Sequence, residues 1–284
     1  EQGVYGGGSV SLPGSITVMD SVIRDNTGRG IVNISGPTTV IRCTVMGNWY
    51  GINASSGNST FILSQSIIRD NEPGGGVSNS SFGRISDTVI DGNFANAIGA
   101  HGGGISNTGI LYILNSAITN NRAFESGGGI FTALRPLYLT NSTVSGNRAD
   151  NGGGNCNCPG GGIYSLWNST NPGGTVIMTN STIANNRSAG KGGGVRNDSG
   201  AIFTVRNSII AGNLATSGEV DVSGTADSHG FNLVGNTAGS TGWVMTDLLQ
   251  LKPNLGPLGI NGGQTWTHDL MPGSPAIDAA PVDD

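Results

Sequence analysis

Asp25 and Asp70 occupy the same position of two identical tetrapeptides, Ile-Arg-Asp-Asn. Two carboxylates about 6.5–9.5 Å apart flank the glycosidic bond in inverting hydrolases, one protonating the leaving oxygen and the other activating water. Arg122, Arg148 and Arg187 each follow an Asn. Stacked, they form a basic line suited to an acidic polysaccharide. Cys156 and Cys158 lie in a Gly-rich stretch and are candidates for a local disulfide, since two thiolates are too few for a closed zinc site. His101, His229 and His268 stand in three different contexts without metal-ligand spacing. No Gly-Gly-x-Gly-x-Asp calcium repeat, phosphate loop or nucleotide fingerprint occurs. No metal and no cofactor are expected.

Which of these groups meet depends on the elements that carry them, and those elements repeat. A segment small-x-[Ile/Val]-x-x-Asn ends at Asn26, Asn48, Asn71, Asn93, Asn121, Asn147, Asn186 and Asn213. Between these Asn, glycines followed by Ile or Val lead to Ile31, Ile52, Val77, Ile105, Ile130, Ile163 and Val195. The chain has 284 residues, 50 of them Gly, with only 11% charged residues and a formal net charge of −5. So much Gly argues against helices. The acidic balance excludes a nucleic-acid partner, and no apolar run approaches the ~20 residues of a membrane span.

Aligned on the terminal Asn, the repeats form columns. Three residues before it stand Ile23, Val45, Ile68, Ile90, Ile118, Val144, Ile183 and Ile210; five before it stand Ser21, Cys43, Ser66, Thr88, Ser116, Ser142, Ser181 and Ser208. A second apolar column, Val18 to Val205, has the opposite parity, so one flat strand cannot bury both. The chain must turn a corner near Asp20, Arg42, Gln65, Asp87, Asn115, Asn141, Asn180 and Asn207. Each repeat of about 22 residues then holds three short strands, and equivalent strands stack in parallel. The expected fold is all-β: a right-handed parallel β-helix, with coils over 1–213 and final coils plus a capping segment of the same domain over 214–284. The invariant Asn form a buried structural ladder in this reading.

Columns also weigh the candidate sites. Asp25 and Asp70 lie two coils apart, about 9.6 Å, but share their column with Gly47, Gly92, Asn120, Gly146 and Asn185, the residues of a left-handed turn. A turn is the expected role. Exposed Arg122, Arg148 and Arg187 are expected to be solvated or loosely paired. Cys43 sits in the Ser/Thr column as a small buried side chain. The column four before the ladder Asn, namely Val22, Thr44, Ile67, Val89, Ala117, Thr143, Thr182 and Ile209, alternates outward. It makes a β-branched stripe about 34 Å long, the expected surface for lateral self-association. Its irregularity argues against an ice-binding array. Asn-x-Ser/Thr sequons give glycosylation candidates at Asn33, Asn53, Asn58, Asn79, Asn168 and Asn197, whereas Asn141 and Asn180, in the corner column, are expected to be spared.

The alternation of Gly127-Gly128-Gly129-Ile130 with Val144-Ser145-Gly146-Asn147, and of Gly192-Gly193-Gly194-Val195 with Ile210-Ala211-Gly212-Asn213, resembles the passenger repeats of polymorphic outer-membrane proteins. The C-terminal Gly230-Phe231-Asn232-Leu233-Val234-Gly235-Asn236, Leu255-Gly256-Pro257-Leu258, Asn261-Gly262-Gly263 and Pro272-Gly273-Ser274-Pro275-Ala276-Ile277-Asp278 resemble the tail of bacterial choice-of-anchor β-helix proteins. The resemblance implies secretion to an extracellular or cell-surface location and carries no enzymatic activity with it. The resulting expectation is a non-enzymatic surface β-helix for adhesion or structural assembly, such as filament or surface-layer packing, acting through self-association or a cell-surface partner. The alternative is a polysaccharide-active lyase or hydrolase, or a carbohydrate-binding module, on the outer face. A compact polar constellation spanning neighbouring coils distinguishes the alternative.

Overall fold

Ile and Val alternating with small polar residues fit pleated, half-buried strands. The computed structural model of the chain describes residues 3–4, 10–11, 14–55, 57–151, 156–167 and 174–280, and among these it contains strands and no helix. No helix long and apolar enough to cross a membrane is therefore present in the described residues. The chain winds through about eight turns. Each turn adds one strand to each of three parallel sheets. The pre-corner sheet has nine strands, from Ile16–Met19 to Asp227–Ser228; the post-corner sheet has eleven, from Gly3–Val4 to Leu248–Leu249. The glycine sheet, which begins after each glycine element, has ten, from Val10–Ser11 to Ser240–Thr241. Equivalent residues stand in register, Val45 beside Ile68 and Ile68 beside Ile90.

The corner is where the two apolar parities required it. Asp20, Arg42, Gln65, Asp87, Asn115, Asn141, Asn180 and Asn207 all have left-handed φ between 47° and 52°. Among residues with a side chain, Asn and Asp reach this region most readily. At Arg42 the conformation is accompanied by a bidentate ion pair to Asp20, with Nε–Oδ1 of 2.6 Å and Nη2–Oδ2 of 2.7 Å. On either side of the corner, Val40, Leu63, Ile85, Ile113 and Val45, Ile68, Ile90, Ile118 are fully buried in one core. Ile31, Ile52, Val77 and Ile105 of the glycine sheet close it from the third side.

Glycine and Asn alternate in the sequence because they touch in space. A Cβ on Gly104 would lie 2.9 Å from Asn121 Nδ2 and 2.8 Å from the Gly129 carbonyl. Gly194 stands in the same relation to Asn213, at 2.8 Å. Two elements lie outside the three-strand expectation. A fourth, five-stranded sheet follows the ladder Asn, from Phe94–Ala95 to Leu214–Ala215. After the last coil, Leu255–Gly259 and Thr267–Leu270 form an antiparallel hairpin.

Candidate functional site

The eight ladder Asn are 0–4% exposed. Each amide Nδ2 donates to the Oδ1 of the next coil: Asn26 to Asn48 at 2.7 Å, Asn93 to Asn121 at 2.9 Å, Asn186 to Asn213 at 2.9 Å. The same oxygen also takes the preceding Asn's backbone N–H, as Asn121 Oδ1 does from Asn93 at 3.0 Å. The Ser/Thr column forms a second chain, with Ser116 N–H donating to Ser142 Oγ and Ser142 N–H to Ser181 Oγ, both at 3.1 Å. Cys43 takes part through its backbone N–H, which donates to Ser66 Oγ at 3.0 Å. Its thiol is free and buried, and burial pushes its pKa up.

Asp25 and Asp70 are turn residues with φ of 58° and 52°. Their column runs Asp25, Gly47, Asp70, Gly92, Asn120, Gly146, Asn185, Gly212, an alternation of Asx and Gly. The reason is packing between coils. A Cβ on Gly47 would meet Asp25 Oδ1 at 2.6 Å, one on Gly92 would meet Asp70 Oδ1 at 2.8 Å, and one on Gly146 would meet Asn120 Oδ1 at 2.6 Å. Each left-handed Asx thus covers a residue that must lack a side chain, and the carboxylates of Asp25 and Asp70 face Gly47 and Gly92 rather than a shared cleft.

Arg122, Arg148 and Arg187 do stack in register along the fourth sheet. Two of them are not loosely paired as expected. Arg122 and Arg148 both hold the buried carboxylate of Asp150, Arg122 Nη2 at 2.6 Å from Oδ1 and Arg148 Nε on Oδ2. Arg122 also lies 4.7 Å above the Phe94 ring. Burial and the flanking Arg122 and Arg187 lower the Arg148 pKa. Arg187 is exposed and makes no ion pair among the described residues.

The outward stripe is not one exposed surface. Val22 and Ile67 are 40% and 43% exposed and Thr44, Val89, Thr182 and Ile209 half-buried, but Ala117 and Thr143 are buried. The C-terminal hairpin region folds back over this face. Thr265 Oγ1 donates to the Asn115 carbonyl at 3.1 Å. His268 Nδ1 lies 2.7 Å from the Gly256 carbonyl, which can only accept, so Nδ1 carries a proton, and Nε2 lies 2.9 Å from Ser145 Oγ. His268 and Leu270 share a pocket with Thr182 and Ile209.

Three sequon assignments are corrected. Asn33, Asn79 and Asn197 are 0–2% exposed and point into the solenoid. Asn33 Nδ2 donates to the Gly36 and Pro37 carbonyls at 3.0 Å, and Asn79 Nδ2 to Asn107 Oδ1 at 2.8 Å. Parity explains it: each stands two residues after a core Ile or Val of the glycine sheet, hence on the same face. Asn53 is half-buried and Asn58 exposed. Asn168 lies outside the described residues. Asn141 and Asn180 occupy the left-handed corner with exposed side chains, so burial does not shield them.

The groups that the structure gathers are ones the columns above did not single out. The outward residue after each core Ile or Val of the glycine sheet is small and polar in Ser78 and Ser106, then becomes Phe131, Tyr164 and Arg196 on three successive strands. That break in the column is the signal in the sequence. Beside it opens a cleft of about 550 Å³, lined by His101, Glu125, Tyr164, Lys191, Arg196 and Asp198 and edged by the Cys156–Cys158 disulfide. The His101 ring stacks on Phe131 at 4.8 Å. His101 Nδ1 is 2.6 Å from Ser126 Oγ, and Nε2 is 3.7 Å from Glu125 Oε2. Burial lowers the His101 pKa against the opposing pull of Glu125. Tyr164 OH donates to Asp198 Oδ2 at 2.8 Å while Arg196 Nε donates to Oδ1 at 3.0 Å. Burial, then the Asp198 carboxylate, pushes the Tyr164 phenol up, so it stays a donor. Lys191 Nζ is 2.9 Å from Glu219 Oε1.

Chemically, Asp198 and Glu219 are each held by a cation and a hydroxyl. That is a fixed array of donors and acceptors against an aromatic wall. Among the described residues no cluster of three His, Cys, Asp or Glu side chains could hold a metal ion. No family model matches the chain, and neither a curated protein nor a solved structure matches it.

Proposed function

We propose that the chain is a non-enzymatic surface solenoid serving adhesion, and that the cleft beside Tyr164 is where it grips a carbohydrate of a cell surface or matrix. The observation that carries this reading is the clustering of His101, Tyr164, Lys191 and Arg196 over neighbouring coils around a volume of about 550 Å³, in an otherwise repetitive outer surface. Hydroxyl-rich ligands need donors and acceptors side by side with an apolar wall, and the cleft offers all three. Binding is favoured over hydrolysis because both Asp198 oxygens already accept, from Tyr164 and Arg196, so that the carboxylate fixes these two donors in place. An extracellular or cell-surface location is supported by the Cys156–Cys158 disulfide, which suits an oxidising compartment, and by the likeness of the Gly and Asn elements to bacterial surface repeats.

The test is binding of the intact chain to immobilised neutral, N-acetylated and uronic-acid oligosaccharides, beside Tyr164→Ala and Lys191→Ala. Retention of one sugar class by the parent chain, lost in both variants while the circular dichroism is unchanged, supports the proposal. Failure to bind any of the three classes, or equal binding by the variants, rejects it.

A further inference from the structure

The outward face of the pre-corner sheet runs the length of the solenoid, from Ile16–Met19 to Asp227–Ser228. It carries exposed apolar side chains among Thr, Arg and Asp: Phe82 is 50%, Ile202 53%, Ile62 39% and Met19 43% exposed. Tyr112 and Tyr138 stack on it with ring centroids 4.4 Å apart and planes 3° from parallel. Its nine strands, at about 4.8 Å each, and an outward width of about five residues give roughly 700 Å² of flat surface. Two such faces in contact bury roughly 1,400 Å², the size of a stable specific interface.

The order of residues along the face selects the occupant. The central outward column reads Thr17, Thr39, Ile62, Arg84, Tyr112, Tyr138, Ile177, Thr204, Asp227 from the first strand to the ninth. Reversed about Tyr112, the column meets itself without opposing like charges. Ile62 opposes Ile177, Thr39 opposes Thr204, Arg84 lies over Tyr138 where a cation and a ring attract, and Thr17 opposes Asp227. Laid on itself without reversal, the column sets Arg84 against Arg84 and Asp227 against Asp227. Like charges directly opposed at an interface are costly. We infer that a second copy of this chain docks on the pre-corner face, the two solenoids antiparallel and related by a two-fold axis over Tyr112. The interface is isologous and therefore closes at two copies. It is separate from the carbohydrate cleft, which opens on the glycine sheet.

Light scattering and sedimentation of the intact chain across about 1–100 µM test this. A dimer is expected, with Ile62→Lys raising its Kd at least tenfold and leaving the thermal midpoint of the monomer unchanged. Since Ile62 faces outward, a folding failure is not anticipated, and Tyr138→Glu provides an independent variant. Orientation is read from cysteine cross-linking: mixed Thr39→Cys and Thr204→Cys chains form the disulfide, whereas Thr39→Cys alone does not. A monomer at 100 µM, a dimer indifferent to both variants, or cross-linking of Thr39→Cys to itself would each overturn the inference.

Discussion

Asn121 shows what a single ladder residue does. Its Oδ1 accepts from the Asn93 backbone and Asn93 Nδ2, and its Nδ2 donates to the Ile90 carbonyl and to Asn147 Oδ1, all within 2.9–3.0 Å. All of these groups are buried, so no water replaces a lost partner. Asn121→Leu is of similar volume but leaves the Asn93 N–H without an acceptor, and an unmade buried hydrogen bond costs about 1–3 kcal/mol. Urea unfolding followed by circular dichroism should show a loss of that size, with the slope little altered. A midpoint unchanged from the parent would mean that the ladder is decorative. The column of Asx and Gly residues teaches a related lesson. Asp25 and Asp70 look like a catalytic pair by spacing, yet the 2.6 Å and 2.8 Å approaches at Gly47 and Gly92 account for both of them.

At the scale of elements, the C-terminal hairpin region lies over the middle of the stripe and leaves Val22 and Ile67 exposed. Ala117, Thr143 and Ser145 are buried, and the only polar ties among the described residues from the hairpin region to these coils are Thr265 to Asn115 and His268 to Ser145. His268→Ala removes the bond to Ser145 and the bond to the Gly256 carbonyl, each worth about 1 kcal/mol. The hairpin should then open more often than the coils do. Limited proteolysis is the measurement: cleavage within 254–270 should accelerate several-fold in the variant while the coil fragment stays intact. Uniform acceleration throughout the chain would show that hairpin and coils unfold as one unit. The fourth sheet is the complementary case. Its Arg122 and Arg148 are set in register by strand pairing and neutralised by one buried Asp150, so a line that looks like a polyanion site is largely internal electrostatics.

Over the whole molecule the ladders have a direction, and the direction requires an end. Every ladder Asn donates its backbone N–H and one of its Nδ2 hydrogen bonds towards the C-terminal side, so the last one needs an acceptor there. Asp221 supplies it, taking Asn213 N–H at 3.0 Å and Nδ2 at 2.8 Å. The hydroxyl chain passes through Asn232 and ends on Asp247 in the same way, at 3.0 Å and 2.9 Å. Burial raises the Asp221 pKa above its usual 3.8, against the lowering by the Asn213 bonds. A carboxyl with a raised folded pKa binds its proton more tightly in the native state. Its contribution to stability is therefore full below about 3.8 and is lost as pH rises through the folded value. Asp221→Asn keeps the accepting oxygen and removes the charge. Its thermal midpoint, measured from pH 3 to pH 8, should gain on the parent as pH rises across that window and level off above it. A difference that is constant with pH would refute the assignment.

The sequence by itself determined the winding of this chain. Period, strand parity, the left-handed corner at Asp20 to Asn207 and the Asn ladder are all local or nearest-neighbour properties, because in a solenoid each coil touches only the coils beside it. The same rule of alternation already placed Asn33, Asn79 and Asn197 inside, two residues beyond core positions, although their sequons suggested loops. What only the tertiary structure decided is everything that links residues through space without a fixed period. The hairpin reaches from Thr265 and His268 to Asn115 and Ser145 across 150 and 123 residues, and no repeat encodes that distance. The cleft likewise depends on where the irregular insertion carrying Cys156 and Cys158 comes to rest beside Tyr164. Columns fix which side chains share a face; the non-repeating segments fix which of those faces are left open to a partner.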